Sequence, residues 1–206
     1  MWPLSLESVA FEEAVAWFRA KVPMPRAEWD ALSARAKEKA FTVSGVAQLD
    51  VLHDVWKAID KALAEGTTLR DFQKEVRDKL EAAWAGTVDN PPWRMETIFR
   101  TNVQLAYSAG RWRQLQDPAV KESHPFLRYD AVLDDRVTAV CKACDGTLLP
   151  REHPFWATHV PPLHFNCRSA IVPLTAEDAG ELGVTDDVTG AAAHEGFGVE
   201  AGVGQW

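Results

Sequence analysis

Three cysteines and one histidine fall in a pattern that suits metal binding. Cys141 and Cys144 form a C-x2-C pair, and after nineteen intervening residues His164 and Cys167 form an H-x2-C pair. Two such pairs at that separation have the spacing of a four-ligand zinc site, with a thiolate or imidazole at each tetrahedral corner. Two ligands three apart on a tight turn can take two corners, and Asp145-Gly146 offers a turn just behind the first pair. His153 and His159 are rivals for the fourth place, and the pairing with Cys167 favours His164. A disulfide would leave one of three cysteines over. A redox C-x2-C lacks the strand-helix pattern that usually precedes one, and ordinary buried thiols are the bland alternative. A filled Cys3His shell leaves no position for water, so the Zn2+ would be structural, supplying folding free energy rather than hydrolysis.

Other chemistry is thin. There is no G-x-S-x-G, Walker A loop, G-x-G-x-x-G or H-E-x-x-H. A zinc deaminase would need Pro before its C-x2-C and a His-x-Glu upstream, whereas Val140 precedes Cys141. Asp134-Asp135-Arg136 reads as a turn between strands rather than a metal-binding acid pair. A nuclease built on His159 or His164 with Asp135 would have only residue types behind it. No enzymatic activity is expected.

Charge has to be divided by position. The 206 residues carry 22 basic and 30 acidic side chains, a net charge of −8. Residues 176–206 hold seven of the acids and no Lys or Arg, which leaves residues 1–175 close to neutral. A near-neutral body gives no general electrostatic footprint for nucleic acid. Arg111, Arg113 and Arg128, with Lys121 nearby, are the modest candidates for phosphate contacts, against the plainer reading of a solvated face. No run of eighteen apolar residues suggests a membrane span, and the N-terminus has no basic region followed by an apolar stretch. A protein made in the cytoplasm is expected.

Positioning these residues requires an α+β chain, with N-terminal helices followed by a small antiparallel β unit that carries the zinc site. Apolar residues at helical spacing predict helices over Ser5–Lys21, Arg26–Phe41, Ala47–Glu65 and Thr67–Trp84 and a long one over Trp93–Gln116. Gly66 and Gly86 close the third and fourth. Phe126–Val132, Val137–Val140 and Arg168–Leu174 read as strands, with a Pro-, His- and Trp-rich loop over 145–166. Beyond Thr175 the chain turns acidic and Gly/Ala-rich and reads as a flexible or partner-ordered tail. The organisation is therefore a helical region over 1–90, an α+β core over 91–175 and a tail over 176–206.

The run Asp134-Asp135-Arg136-Val137-Thr138, Cys141-Lys142-Ala143-Cys144-Asp145-Gly146, His153-Pro154-Phe155-Trp156 and Pro161-Pro162-Leu163-His164-Phe165-Asn166-Cys167-Arg168-Ser169 resembles the signature of the Mu F-like head-morphogenesis proteins of tailed phages, also called minor head proteins. Ile98-Phe99-Arg100-Thr101 and Ala106-Tyr107 with Gly110-Arg111 resemble the helix that precedes it, and Asn102 stands where that family is expected to carry an acid. The resemblance spans about residues 95–175. It implies a virion or procapsid component in few copies, at the head interior or portal vertex, acting in head assembly or in DNA packaging and ejection. The portal protein would be its main partner, with major capsid or scaffold protein and packaged DNA as further ones. The competing readings are a zinc-containing nucleic-acid module and a host-directed effector injected with the DNA.

Overall fold

A computed structural model describes residues 11–197, apart from 38, 187, 189–190 and 195–196. The first predicted helix is seen as α1, Glu12–Arg19, and the proposed caps Ser5 and Ser8 lie outside the described residues. Ala14, Val15 and Phe18 form its buried stripe.

The second predicted helix does not run unbroken. It divides into α2, Arg26–Asp30, and a single turn α3, Ala34–Lys37. At the break the Ser33 hydroxyl accepts from the Ala36 amide at 3.4 Å, so a local side-chain bond replaces the helical ladder. Past α3 the chain is extended rather than helical, and β2, Ala40–Phe41, pairs in parallel with β1, Val22–Pro23.

The next helices agree closely with their sequence signals. α4 spans Leu49–Glu65 and ends at Gly66 with φ 71°. α5 spans Leu69–Trp84 and opens with a capping box. There the Asp71 amide donates to the Thr68 hydroxyl at 3.3 Å, while the Asp71 carboxylate accepts from the Thr68 amide at 3.0 Å. α6 runs from Pro91 to Leu115, capped by Asn90. Phe18, Leu52, Ile59, Phe72, Leu80, Trp84 and Met95 form a core in which α1, α4, α5 and the first half of α6 converge.

The C-terminal half is built on the far end of α6. A short helix α7, Pro118–Ser123, leads into β3, Phe126–Asp130. β3 is the centre of a three-stranded antiparallel sheet, flanked by β4, Leu148–Pro150, and β5, Ala170–Leu174. The register places Leu127 opposite Leu149 and Tyr129 opposite Ile171. Leu127 and Tyr129, alternating along the strand, bury one face with Leu115 of α6, Trp156 and Leu163 as a second core. The predicted α+β architecture with an antiparallel β unit is therefore present.

Two expectations fail here. Val137–Val140 is not a strand, because the Thr138 hydroxyl accepts from the Cys141 amide at 3.4 Å and caps a helix, α8, over Ala139–Cys144. The start of the tail is not irregular either. Thr175 caps α9, Ala176–Leu182, beyond which the Thr185 amide bonds the Leu148 carbonyl and the His194 amide the Leu163 carbonyl. Among the described residues no helix is long and apolar enough to cross a membrane.

Candidate metal centre

α8 and the turn after Leu163 bring three ligand side chains together. Cys141, His164 and Cys167 are buried, with their ligand atoms all within 4.8 Å of one another. Cys141 Sγ lies 3.1 Å from His164 Nε2 and 3.6 Å from Cys167 Sγ. A tetrahedral zinc ion, with Zn–S about 2.3 Å and Zn–N about 2.0 Å, holds two sulfurs roughly 3.7 Å apart and a sulfur and a nitrogen roughly 3.5 Å apart. The donor set and its spacing therefore fit such an ion with only small adjustment.

The turn that presents two of these ligands is specific. Asn166 takes φ 58°, a left-handed conformation that its short amide side chain tolerates better than most. The chain thereby doubles back, and the Cys167 amide bonds the His164 carbonyl at 3.3 Å. His164 Nδ1 donates to the Phe165 carbonyl at 2.7 Å, which leaves Nε2 facing the sulfurs as the ligand atom. Metal-bound histidines are commonly oriented in this way.

The surroundings favour a cation. Cys141 is held far toward its thiolate by the Cys167 thiol, with His164, Ser169 and Tyr129 as further partners, and the Cys167 thiol is correspondingly pushed up. The Tyr129 hydroxyl sits 3.3 Å from Cys141 Sγ in a buried position. Burial works against the His164 imidazolium, but its bonds to Cys141 and the Phe165 carbonyl raise its pKa overall. Outside the group, Arg168 grips Asp134 with two bonds of 2.6 and 2.7 Å, tying the Asp134-Asp135-Arg136 loop to the Cys167 turn. That fork holds the Asp134 carboxyl far below the usual carboxylate range.

Cys144 is not brought into the group. It is fully buried one helical turn beyond Cys141, where its sulfur meets the backbone amide of Ala191. Burial and the neighbouring Cys141 push its thiol up to about 11. The structure thus assembles three of the four expected ligands, and the C-x2-C pair lies on a helix instead of a tight turn. All three cysteines are free thiols. The rival histidines are engaged elsewhere: His153 Nδ1 caps the short 3-10 helix Pro154–Ala157 and His159 stacks on Phe155 at 4.1 Å. Asp134 and Asp135 take no part in the group, in line with the turn reading.

Arg111 and Arg113 do not share one face of α6. Arg111 and Arg113 are exposed on α6, but residues two apart lie about 200° apart around a helix axis. Arg128 is half-buried on β3. Sequence reasoning missed Tyr129, Thr138 and Ser169 as neighbours of the ligands. Only Thr138 had a usable signal, a cap-forming residue three before Cys141.

Comparison with known proteins relates the sequence of this chain to a wider group. The family described as "Phage Mu protein F like protein" matches residues 53–172, so the similarity begins within α4, well upstream of the motif run. The chain is 32% identical over 187 residues to "Putative capsid assembly protein F" of Escherichia phage Mu, covering 84% of this chain and 42% of that protein. It is also 32% identical over 150 residues to the "Mu-like prophage FluMu F protein" of Haemophilus influenzae, covering 68% of this chain and 36% of that protein. The chain therefore spans less than half the length of these curated relatives. No solved structure matches it.

Proposed function

The chain belongs to the Phage Mu protein F like family, and we propose that it acts in phage head morphogenesis as a minor, structural component of the head. The observation that carries this reading is the family match over residues 53–172, which takes in most of α4, all of α5 and α6 and the Cys/His unit together. The name of the phage Mu relative, a capsid assembly protein, supports the same role. On this reading the helical half docks on the portal protein or on neighbouring head proteins, and the β unit serves as a rigid module in assembly or in DNA packaging and ejection.

In the same proposal Cys141, His164 and Cys167 hold a structural zinc ion. When bound, the ion would cross-link α8 to the Asn166 turn and neutralise the thiolates that burial penalises. A space of only about 10 Å3 adjoins the group, lined by Thr138, Cys141, His164 and Ser169 among others. That is room for about one water molecule beside the group, which suits a structural ion. One solvent molecule or a neighbouring hydroxyl can complete the shell in place of Cys144. The Thr138 hydroxyl, 2.9 Å from His164 Nε2, is the nearest such group.

The test of the role is direct. Purified procapsids and virions of a phage or induced prophage carrying this gene are probed with antibody against the chain. The protein is expected in one or both at low copy number, and its absence from both overturns the proposal.

A further inference from the structure

A sizeable cavity lies between the α1–α3 segment and α6. Its volume is about 640 Å3, and Phe165, the residue after the ligand His164, also lines it. Four of its lining residues are cationic, Lys21, Arg26, Lys37 and Arg94, against a single acid, Asp30. Asp30 is already engaged by Arg26 at 2.7 Å, so it does not offset Lys37 and Arg94.

Two further details bear on what such a space accepts. The hydroxyls of Thr42 and Thr101 both line it, and both are buried with no hydrogen-bond partner among the described residues. Thr101 is only 8% exposed. Buried hydroxyls are rarely left unpaired, so each is a donor lacking an acceptor at the cavity wall. The ring of Trp29 is covered by the Arg26 guanidinium at 4.6 Å and the Lys37 ammonium at 4.1 Å. It therefore holds two cations and, being only 7% exposed, offers no open face on which a nucleobase could stack.

We infer that this cavity is a carboxylate-binding site that receives an acidic peptide segment of a protein partner, with Arg94 and Lys37 supplying charge and Thr101 a hydrogen bond. The donors lie in a concavity. A duplex presents its phosphates on a convex rod, whereas a Glu or Asp side chain on an extended chain can enter a concavity. The inference rests on this cavity alone and does not depend on the metal group or on the assembly role.

Fluorescence anisotropy of a labelled hexaglutamate peptide with the full chain tests it. Binding to the wild-type chain should weaken as salt rises. It should fall about tenfold or more in Arg94→Gln, in Lys37→Gln and in Thr101→Val, since each removes a charge-assisted bond. Thr101→Val replaces an unpaired buried hydroxyl with a methyl group, so its thermal stability should equal or exceed the wild type, which separates lost binding from lost folding. Inorganic phosphate and a 20-base-pair duplex serve as competitors. Weak competition by both supports the peptide assignment. If the duplex binds more tightly than the peptide and loses affinity in Arg94→Gln, the partner is nucleic acid and the inference fails. If phosphate alone matches the peptide, the site takes free anions and the inference also fails. Equal peptide binding by all four proteins, or none by the wild type at millimolar concentration, overturns it.

Discussion

Gly110 lies in α6 where α1 crosses it, and an alanine there sets two effects of opposite sign against each other. In a helix interior alanine is favoured over glycine by about 1 kcal/mol. The added Cβ, however, would sit 2.7 Å from the Ala14 amide nitrogen, 3.1 Å from Ala14 Cα and 3.0 Å from the Phe11 ring. Two of those atoms are backbone and cannot rotate aside, so α1 itself must move outward by several tenths of an ångström. Ala14 and Phe18 on that helix are wholly buried, and forcing such a contact apart costs about 1–3 kcal/mol. Because the obstruction is backbone the upper part of that range applies, and Gly110→Ala should destabilise by a net ~1–2 kcal/mol. For a chain of this size that lowers Tm by about 2–8 °C. Gly180 in α9 is the control, since a Cβ there meets nothing within 4 Å and its alanine variant should be neutral or slightly stabilising. Urea unfolding followed by tryptophan fluorescence and circular dichroism measures both. If Gly110→Ala is as stable as Gly180→Ala, α1 does not seat on α6 at this point and the packing argument is wrong.

Three further outcomes are expected. Tyr129→Phe removes the hydroxyl beside Cys141 without opening a large cavity, so metal affinity should fall about 10–100-fold with the fold intact, read by chelator competition. Arg151→Met removes donors to the Leu115 carbonyl at 2.7 Å and to the His124 carbonyl, loosening the β unit from the end of α6 at a cost of about 1–3 kcal/mol in urea unfolding. Thr68→Val breaks the α5 capping box, whose hydroxyl and amide hold the Asp71 carboxyl below its ordinary pKa. A depressed carboxylate contributes stability above its unfolded pKa and loses it as pH falls through the folded value. The gap between the urea midpoints of wild type and variant should therefore narrow as pH falls into strong acid without closing, because the Thr68 hydroxyl still caps the Asp71 amide there.

Much of the helical half was legible because its signals agree. Leu52, Val55, Ile59 and Leu63 keep one stripe, Gly66 stops it, and Thr68 with Asp71 announces α5. Where signals conflicted, the local hydrogen bond won. Ser33 broke a helix that Trp29 and Ala36 suggested, and Thr138 turned a β-branched stretch into the first turn of α8. β4 was hidden because three residues ending in Pro150 carry almost no periodicity. The pairing of His164 with Cys167 could be read from spacing, since a turn of four residues fixes both. The fate of Cys144 could not be read that way. It is taken up by a contact with Ala191 from a distant segment, which spacing within the motif does not reveal. The cationic cavity was equally invisible, because residues 21–44 and 94–105 meet only through packing.

The central structural claim is that zinc is held by Cys141, His164 and Cys167 without Cys144, and metal content measures it most directly. The wild-type chain, Cys141→Ser and Cys144→Ser are purified under reducing conditions and analysed for bound zinc by elemental mass spectrometry. Stoichiometric zinc is predicted in the wild type and in Cys144→Ser, with loss in Cys141→Ser. A wild-type chain free of metal, or a Cys144→Ser variant that loses zinc as fully as Cys141→Ser, would contradict the account.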